Sequence, residues 1–225
     1  MANTDYKSPD ALMRHLRDNG ISISGSSQKQ QLINTGYFHG YKGYRFFVSS
    51  SNRLPFTSYN EINATIQYDT KLKSLLYGKM MFIETALKNI ALNTTMSEID
   101  SSSIYDMYDK AISSYKNAPA GTREDIKKKY QNNKLNLQGS IQNAIAHNDV
   151  VYDTRFKKMD PSRPMKQCLI LEMGMPYINF KTIGDYIILI CYYLKLLKVS
   201  KTEIKSFIRE FEKITREYES SVNPN

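Results

Sequence analysis

The chain has 225 residues, of which 41% are hydrophobic and 24% charged, enough to bury a real core in one large domain or two small ones. Only 10 glycines and 7 prolines stand against abundant Leu, Ile, Lys and Tyr, which argues for helices and against a turn-rich β architecture. A net charge of +9 suits a polyanionic partner, and the two cysteines, Cys168 and Cys191, form neither a disulfide framework nor a metal-ligand spacing.

The positive excess is spread unevenly. Residues 1–60 carry 7 basic against 3 acidic groups, residues 61–100 carry 4 against 5, and residues 151–225 carry 13 against 9. That distribution suggests a basic outer surface around a nearly neutral scaffold. The N-terminal residues show no cationic and apolar pattern of a secretory signal. The most apolar stretch, Ile183 to Val199, contains Asp185, Lys195 and Lys198, and its uninterrupted core from Tyr186 to Leu194 is too short to span a bilayer. A cytoplasmic protein without membrane association is expected, with both thiols reduced and buried.

In chain order, Ser8-Pro9-Asp10 reads as an N-cap, a first-position proline and a first-turn acid. The helix they open carries Leu12 and Leu16 and ends at Asn19-Gly20. A second short helix is predicted from near Ser26-Ser27 to Gly36, followed by an aromatic stretch from Tyr37 to Val48. The loop from Ser49 to Pro55 is the best boundary, which divides the chain into an N-terminal helical module over 1–55 and a helical bundle over 56–225. Ser58 with Glu61 forms a capping box. It opens a long helix whose stripe runs Ile62, Ile66, Asp69, Leu72, Leu76, Met80, Ile83, Leu87 and Ile90, to about Leu92. Further helices are predicted over Ile104 to Tyr115, from Thr122 through Lys127-Lys128-Lys129, and over Leu137 to His147. Residues 153–164 read as a basic loop. Thr182 to Lys198 reads as the apolar helix, packed centrally against the long one, and Ser200 with Glu203 opens a last helix to about Tyr218. No strand and no internal repeat is evident. The fold class is all-α.

One segment concentrates the candidate chemistry. Gln142-Asn143-Ala144-Ile145-Ala146-His147-Asn148 places a histidine and three amides around one helix end, in a chain with 3 histidines. An imidazole beside polar amides is the minimum equipment for moving protons at a phosphodiester. The plain alternative is a helix end whose polar residues face water. His15 is expected to be solvated beside Arg14, and His39 to be packed among aromatics. Tyr37, Tyr41 and Tyr44 are read as packing residues, although exposed aromatics with basic neighbours also stack on single-stranded RNA. Lys127, Lys128 and Lys129 form a basic helix face that reaches phosphates only as point charges. No glycine-rich phosphate loop, metal cluster or nucleophile elbow is present, so no cofactor and no metal are expected.

Several segments in order resemble the bacterial abortive-infection family of the AbiD/AbiF type. They are Gly36-Tyr37-Phe38 with Gly43-Tyr44-Arg45-Phe46-Phe47, then Phe56, then Tyr68-Asp69-Thr70-Lys71-Leu72-Lys73-Ser74-Leu75-Leu76 and Ile83-Glu84-Thr85-Ala86-Leu87-Lys88. The likeness continues through Ile141-Gln142-Asn143-Ala144-Ile145-Ala146-His147-Asn148 and from Phe180 to Leu197. That family belongs to the HEPN superfamily of helical RNA-associated domains, related to the nuclease domains of type VI CRISPR effectors.

The resemblance implies an elongated HEPN-like bundle and a metal-independent endoribonuclease, with two chains meeting to form a composite site. Its signature is an arginine, a polar residue, a short spacer and a histidine on one helix. Here the histidine is His147 and the polar residue Asn143, while Gln142 occupies the arginine position. A neutral amide cannot offset the charge that builds on phosphate oxygens. Three explanations stand: a degenerate natural member, a variant engineered to permit expression of a toxic nuclease, or a functional form that uses another cation such as Arg155. Lys127, Lys128, Lys129, Asn148, Arg155, Lys157 and Lys158 are the expected RNA contacts. The partners implied are RNA (cellular, phage or small non-coding) and a second copy of the chain. Phage defence of a toxin type is the leading function. A non-catalytic RNA-binding module, or a helical interaction or antitoxin protein, is the alternative.

Overall fold

Helix starts follow the local capping chemistry. In the computed structural model, which describes residues 8–46, 53–97, 144–154 and 163–222, Ser8 Oγ accepts from the Ala11 N–H at 3.2 Å and opens α1 (Pro9–Asp18). Gly20 closes it with φ of 80°. The N–H of Gly20 then bonds the carbonyl of Arg17, and that of Ile21 the carbonyl of Leu16. This is the paired pattern of a Schellman cap. α2 (Gly25–Thr35) runs into a π-helical turn, Gly36–Lys42. Gly40 is obligatory there, because a Cβ would sit 2.8 Å from the Thr35 carbonyl oxygen. Tyr41 and Tyr44 are buried and Tyr37 is half-buried, so these tyrosines pack as expected.

Ser58 and Glu61 do form a reciprocal capping box. The Glu61 N–H donates to Ser58 Oγ, and the Ser58 N–H donates to Glu61 Oε2. They start α3 (Tyr59–Ser97), a helix of 39 residues that outruns the predicted end near Leu92. At 1.5 Å per residue it is about 58 Å long, which lets it carry two cores in series. Against its first two turns pack Met13, Leu16, Ile21, Leu32, Tyr41 and Tyr44, around Tyr59, Ile62 and Ile66. Farther along, Leu72, Leu76, Met80 and Ile83 line the second core with the helix end at residues 144–146 (α4), α5 (Arg163–Met173), α6 (Ile183–Leu196) and α7 (Lys201–Val222). The stripe from Ile62 to Ile83 is therefore buried as its spacing requires, and Leu87 lies half-buried at the rim.

α6 is the central helix, with nine buried residues between Ile183 and Leu194. The closest partner of α3, however, is α7, which runs antiparallel to it. Tyr68 stacks on Tyr218 with centroids 4.4 Å apart, and Lys71–Glu217 and Lys79–Glu203 bridge the two helices at 2.7 and 2.6 Å. α5 begins at Arg163, inside the expected basic loop of residues 153–164, and runs on to Met173. Among the described residues the backbone is all-α, with only isolated bridges at Ser22–Ser58 and Phe46–Arg53. None of their helices is long and apolar enough to cross a membrane.

Two histidine readings are corrected. His15 is half-buried, not solvated: its Nε2 lies 3.1 Å from the Tyr37 hydroxyl, and burial pushes its imidazole below the usual pKa. His39 is exposed, not packed. Cys168 is half-buried rather than fully buried, whereas Cys191 is enclosed in the core, which pushes its thiol up to about 11. Because the thiolate is the reactive form, Cys191 is expected to resist iodoacetamide in the native protein at pH 8 and to react once guanidinium unfolds it. Peptide mapping by mass spectrometry reads this directly, and rapid native labelling of Cys191 would contradict the packing around α6.

Candidate functional site

The segment around His147 is built as a helix end. Ala144 is buried, Ala146 and His147 are exposed, and Asn148 turns into the left-handed region with φ of 55°. The Asn148 N–H donates to the Ile145 carbonyl at 3.1 Å, and the Asp149 N–H to the Ala144 carbonyl at 2.7 Å. This is again a Schellman cap, with His147 as the C-cap residue and Asn148 in the position usually held by glycine. Asparagine serves because its short side chain tolerates that conformation. The predicted end of the helix at His147 is therefore found in place.

Beyond the cap, Val150 and Val151 part company. Val150 belongs to the first core and Val151, fully buried, to the second. Tyr152 lies between two rings, stacked on Tyr44 at 6.3 Å and edge-on to Tyr68 at 6.4 Å.

What secures this turn is a carboxylate in the middle of α3. Asp69 has no exposed surface. Its Oδ1 accepts the N–H groups of Val151 and Tyr152, both at 2.8 Å, and its Oδ2 accepts the Tyr44 hydroxyl at 2.7 Å and the Lys73 ammonium at 2.9 Å. Lys73, one helical turn on, also donates to the Asn148 side-chain Oδ1 at 2.8 Å and to its main-chain carbonyl at 3.3 Å. A buried charge is tolerated only when it is paired and its lone pairs are satisfied, and Asp69 meets that condition with four donors.

Of the residues singled out from the sequence, His147 and Asn148 sit together at the helix end, His147 facing solvent. Asn148 Oδ1 is engaged by Lys73, so its first task is to cap and tether. Gln142, Asn143, Lys127, Lys128, Lys129, Arg155, Lys157 and Lys158 lie outside the described residues. Sequence reasoning passed over Tyr44, Asp69 and Lys73. The available signal was an aspartate at a core-facing position of an apolar stripe with a lysine four residues on, a charge that burial alone would not permit.

Fold and site together define an all-α helical protein that presents a histidine on a capped helix end, anchored from beneath by a buried ion pair. The chain belongs to the Abi-like protein family, whose model matches residues 30–164, more than half of its length. That match contains the whole network of Tyr44, Asp69, Lys73, Asn148, Val151 and Tyr152, together with His147. No curated protein and no solved structure matches the chain.

Proposed function

We propose that this chain is an abortive-infection protein that acts on RNA in the cytoplasm, built on a HEPN-type, metal-independent endoribonuclease site whose motif arginine is replaced by Gln142. The family assignment points to phage defence. The observation that carries the catalytic part is the exposed His147 on a rigidly capped and anchored helix end. In this reading the RNA 2′-hydroxyl attacks the adjacent phosphorus. His147 handles the proton, the P–O5′ bond breaks, and the products are a 2′,3′-cyclic phosphate and a 5′-hydroxyl. Asn143 orients the phosphate, and Lys127, Lys128, Lys129, Arg155, Lys157 and Lys158 supply the electrostatic attraction to the strand.

A single half-site per chain is weak phosphodiester machinery, so the working form is a homodimer that brings two 142–147 segments together. Light scattering is expected to report twice the 26.0 kDa chain mass, and a monomer with and without RNA would count against the composite site. The function itself is tested with a labelled unstructured RNA in EDTA. Cleavage that disappears in His147→Ala supports the nuclease. Salt-dependent binding without cleavage favours the non-catalytic RNA-binding module, the reading to which the neutral Gln142 lends weight. Absence of salt-dependent binding leaves a helical interaction or antitoxin protein.

A further inference from the structure

We propose that Asp69 is a positioning residue for His147, and that Tyr44 and Lys73 act through it so that the N-terminal helical module holds the histidine-bearing turn in its working geometry. The part of this proposal that concerns catalysis rests on the nuclease reading above. The part that concerns the turn does not.

The geometry is unusually specific. Asp69 divides its carboxylate between two clients. Oδ1 takes the backbone of the turn, through Val151 and Tyr152, whereas Oδ2 takes Tyr44 from the N-terminal module and Lys73 from its own helix. Lys73 extends the reach to Asn148, the residue that directly follows His147, and grips both its side-chain and its main-chain oxygen. Two further contacts run in parallel: Tyr44 stacks on Tyr152, and Val150 packs into the core of the N-terminal module. Asp69 spends two of its four bonds on a segment 82 and 83 residues away in sequence, and the other two tie that segment to Tyr44 and Lys73. Such an arrangement rigidifies the segment rather than adding much to global stability. A reactive side chain held on an anchored element keeps its orientation, and misplacement by about 1 Å is worth as much as about a hundredfold in rate.

The test uses two surgical variants of the full chain. Tyr44→Phe removes only the hydroxyl that reaches Asp69 and keeps the ring stack. Lys73→Met removes the ammonium that reaches both Asn148 and Asp69 and keeps a side chain of similar length. Leu16→Val, in the same N-terminal core but outside the network, serves as the control for general destabilisation. Amide hydrogen exchange followed by NMR is expected to quicken about five- to tenfold at Val151 and Tyr152 in Tyr44→Phe, and at Asn148 and Asp149 in Lys73→Met. Leu16→Val should leave those four amides moving only with the rest of the protein. Where the chain cleaves RNA, both variants should lower kcat by about ten- to hundredfold with KM little changed, and Lys73→Arg should recover part of the loss. If the present sequence does not cleave, the same comparison is made in the Gln142→Arg background. Exchange in Tyr44→Phe and Lys73→Met that rises only in step with Leu16→Val overturns the proposal. Local loosening without any cleavage in either background upholds the anchoring and removes the nuclease reading alone.

Discussion

Gln142→Arg is expected to raise metal-independent cleavage of single-stranded RNA by about 10²–10³-fold, and His147→Ala added to it is expected to abolish the gain. The argument rests on charge. Attack by a 2′-hydroxyl places negative charge on the phosphate oxygens, and a guanidinium offers fixed, bidentate, permanently charged donors that an amide cannot match. In the proposed HEPN-type site, positions 142 and 147 serve one phosphate. A time course in EDTA with the present sequence, the arginine form and the double variant decides the matter. An arginine form as inert as the double variant would remove the nuclease reading in favour of the non-catalytic binding module.

The second large effect concerns stability. Asp69→Ala should destabilise the protein by about 3–5 kcal/mol, which for a chain of this size corresponds to a fall in Tm of about 10 °C. The loss arises from what remains behind. Lys73 keeps a charge in a site only 11% exposed, and two amides and a hydroxyl lose their acceptor. Adding Lys73→Met to Asp69→Ala should therefore restore part of the stability, because it removes the orphaned charge. Calorimetry on the single and double variants reads both steps. A double variant less stable than Asp69→Ala would show that the ion pair is not what makes the aspartate necessary.

These two positions differ in how far the sequence disclosed them. His147 and its helix end were legible, because capping is local chemistry: an asparagine after the last helical residue is sufficient to suggest it. The same holds for Ser8, Ser58 and Ser200, whose hydroxyls each accept an N–H three residues on. Asp69 was placed correctly in its stripe, but its role depends on backbone amides more than 80 residues away, and no local pattern announces those. His15 and His39 exchanged environments for the same reason, since the contact of His15 with Tyr37 crosses from α1 to the π-helical turn. α5 escaped notice because Cys168, Leu169, Ile170 and Leu171 run together instead of recurring at three and four. Of that run only Leu169 is fully buried, and Leu171 is 81% exposed.

The parting of Val150 and Val151 carries one more consequence. Surface connections ordinarily accept an added or deleted residue with little penalty. This one cannot, since neighbouring side chains are committed to separate cores and any change of length exchanges their destinations. The stretch from Asn148 to Tyr152 is thus a fixed-length spacer. Homologues should differ there by substitution and not by insertion, and fusions or epitope tags belong elsewhere on the chain.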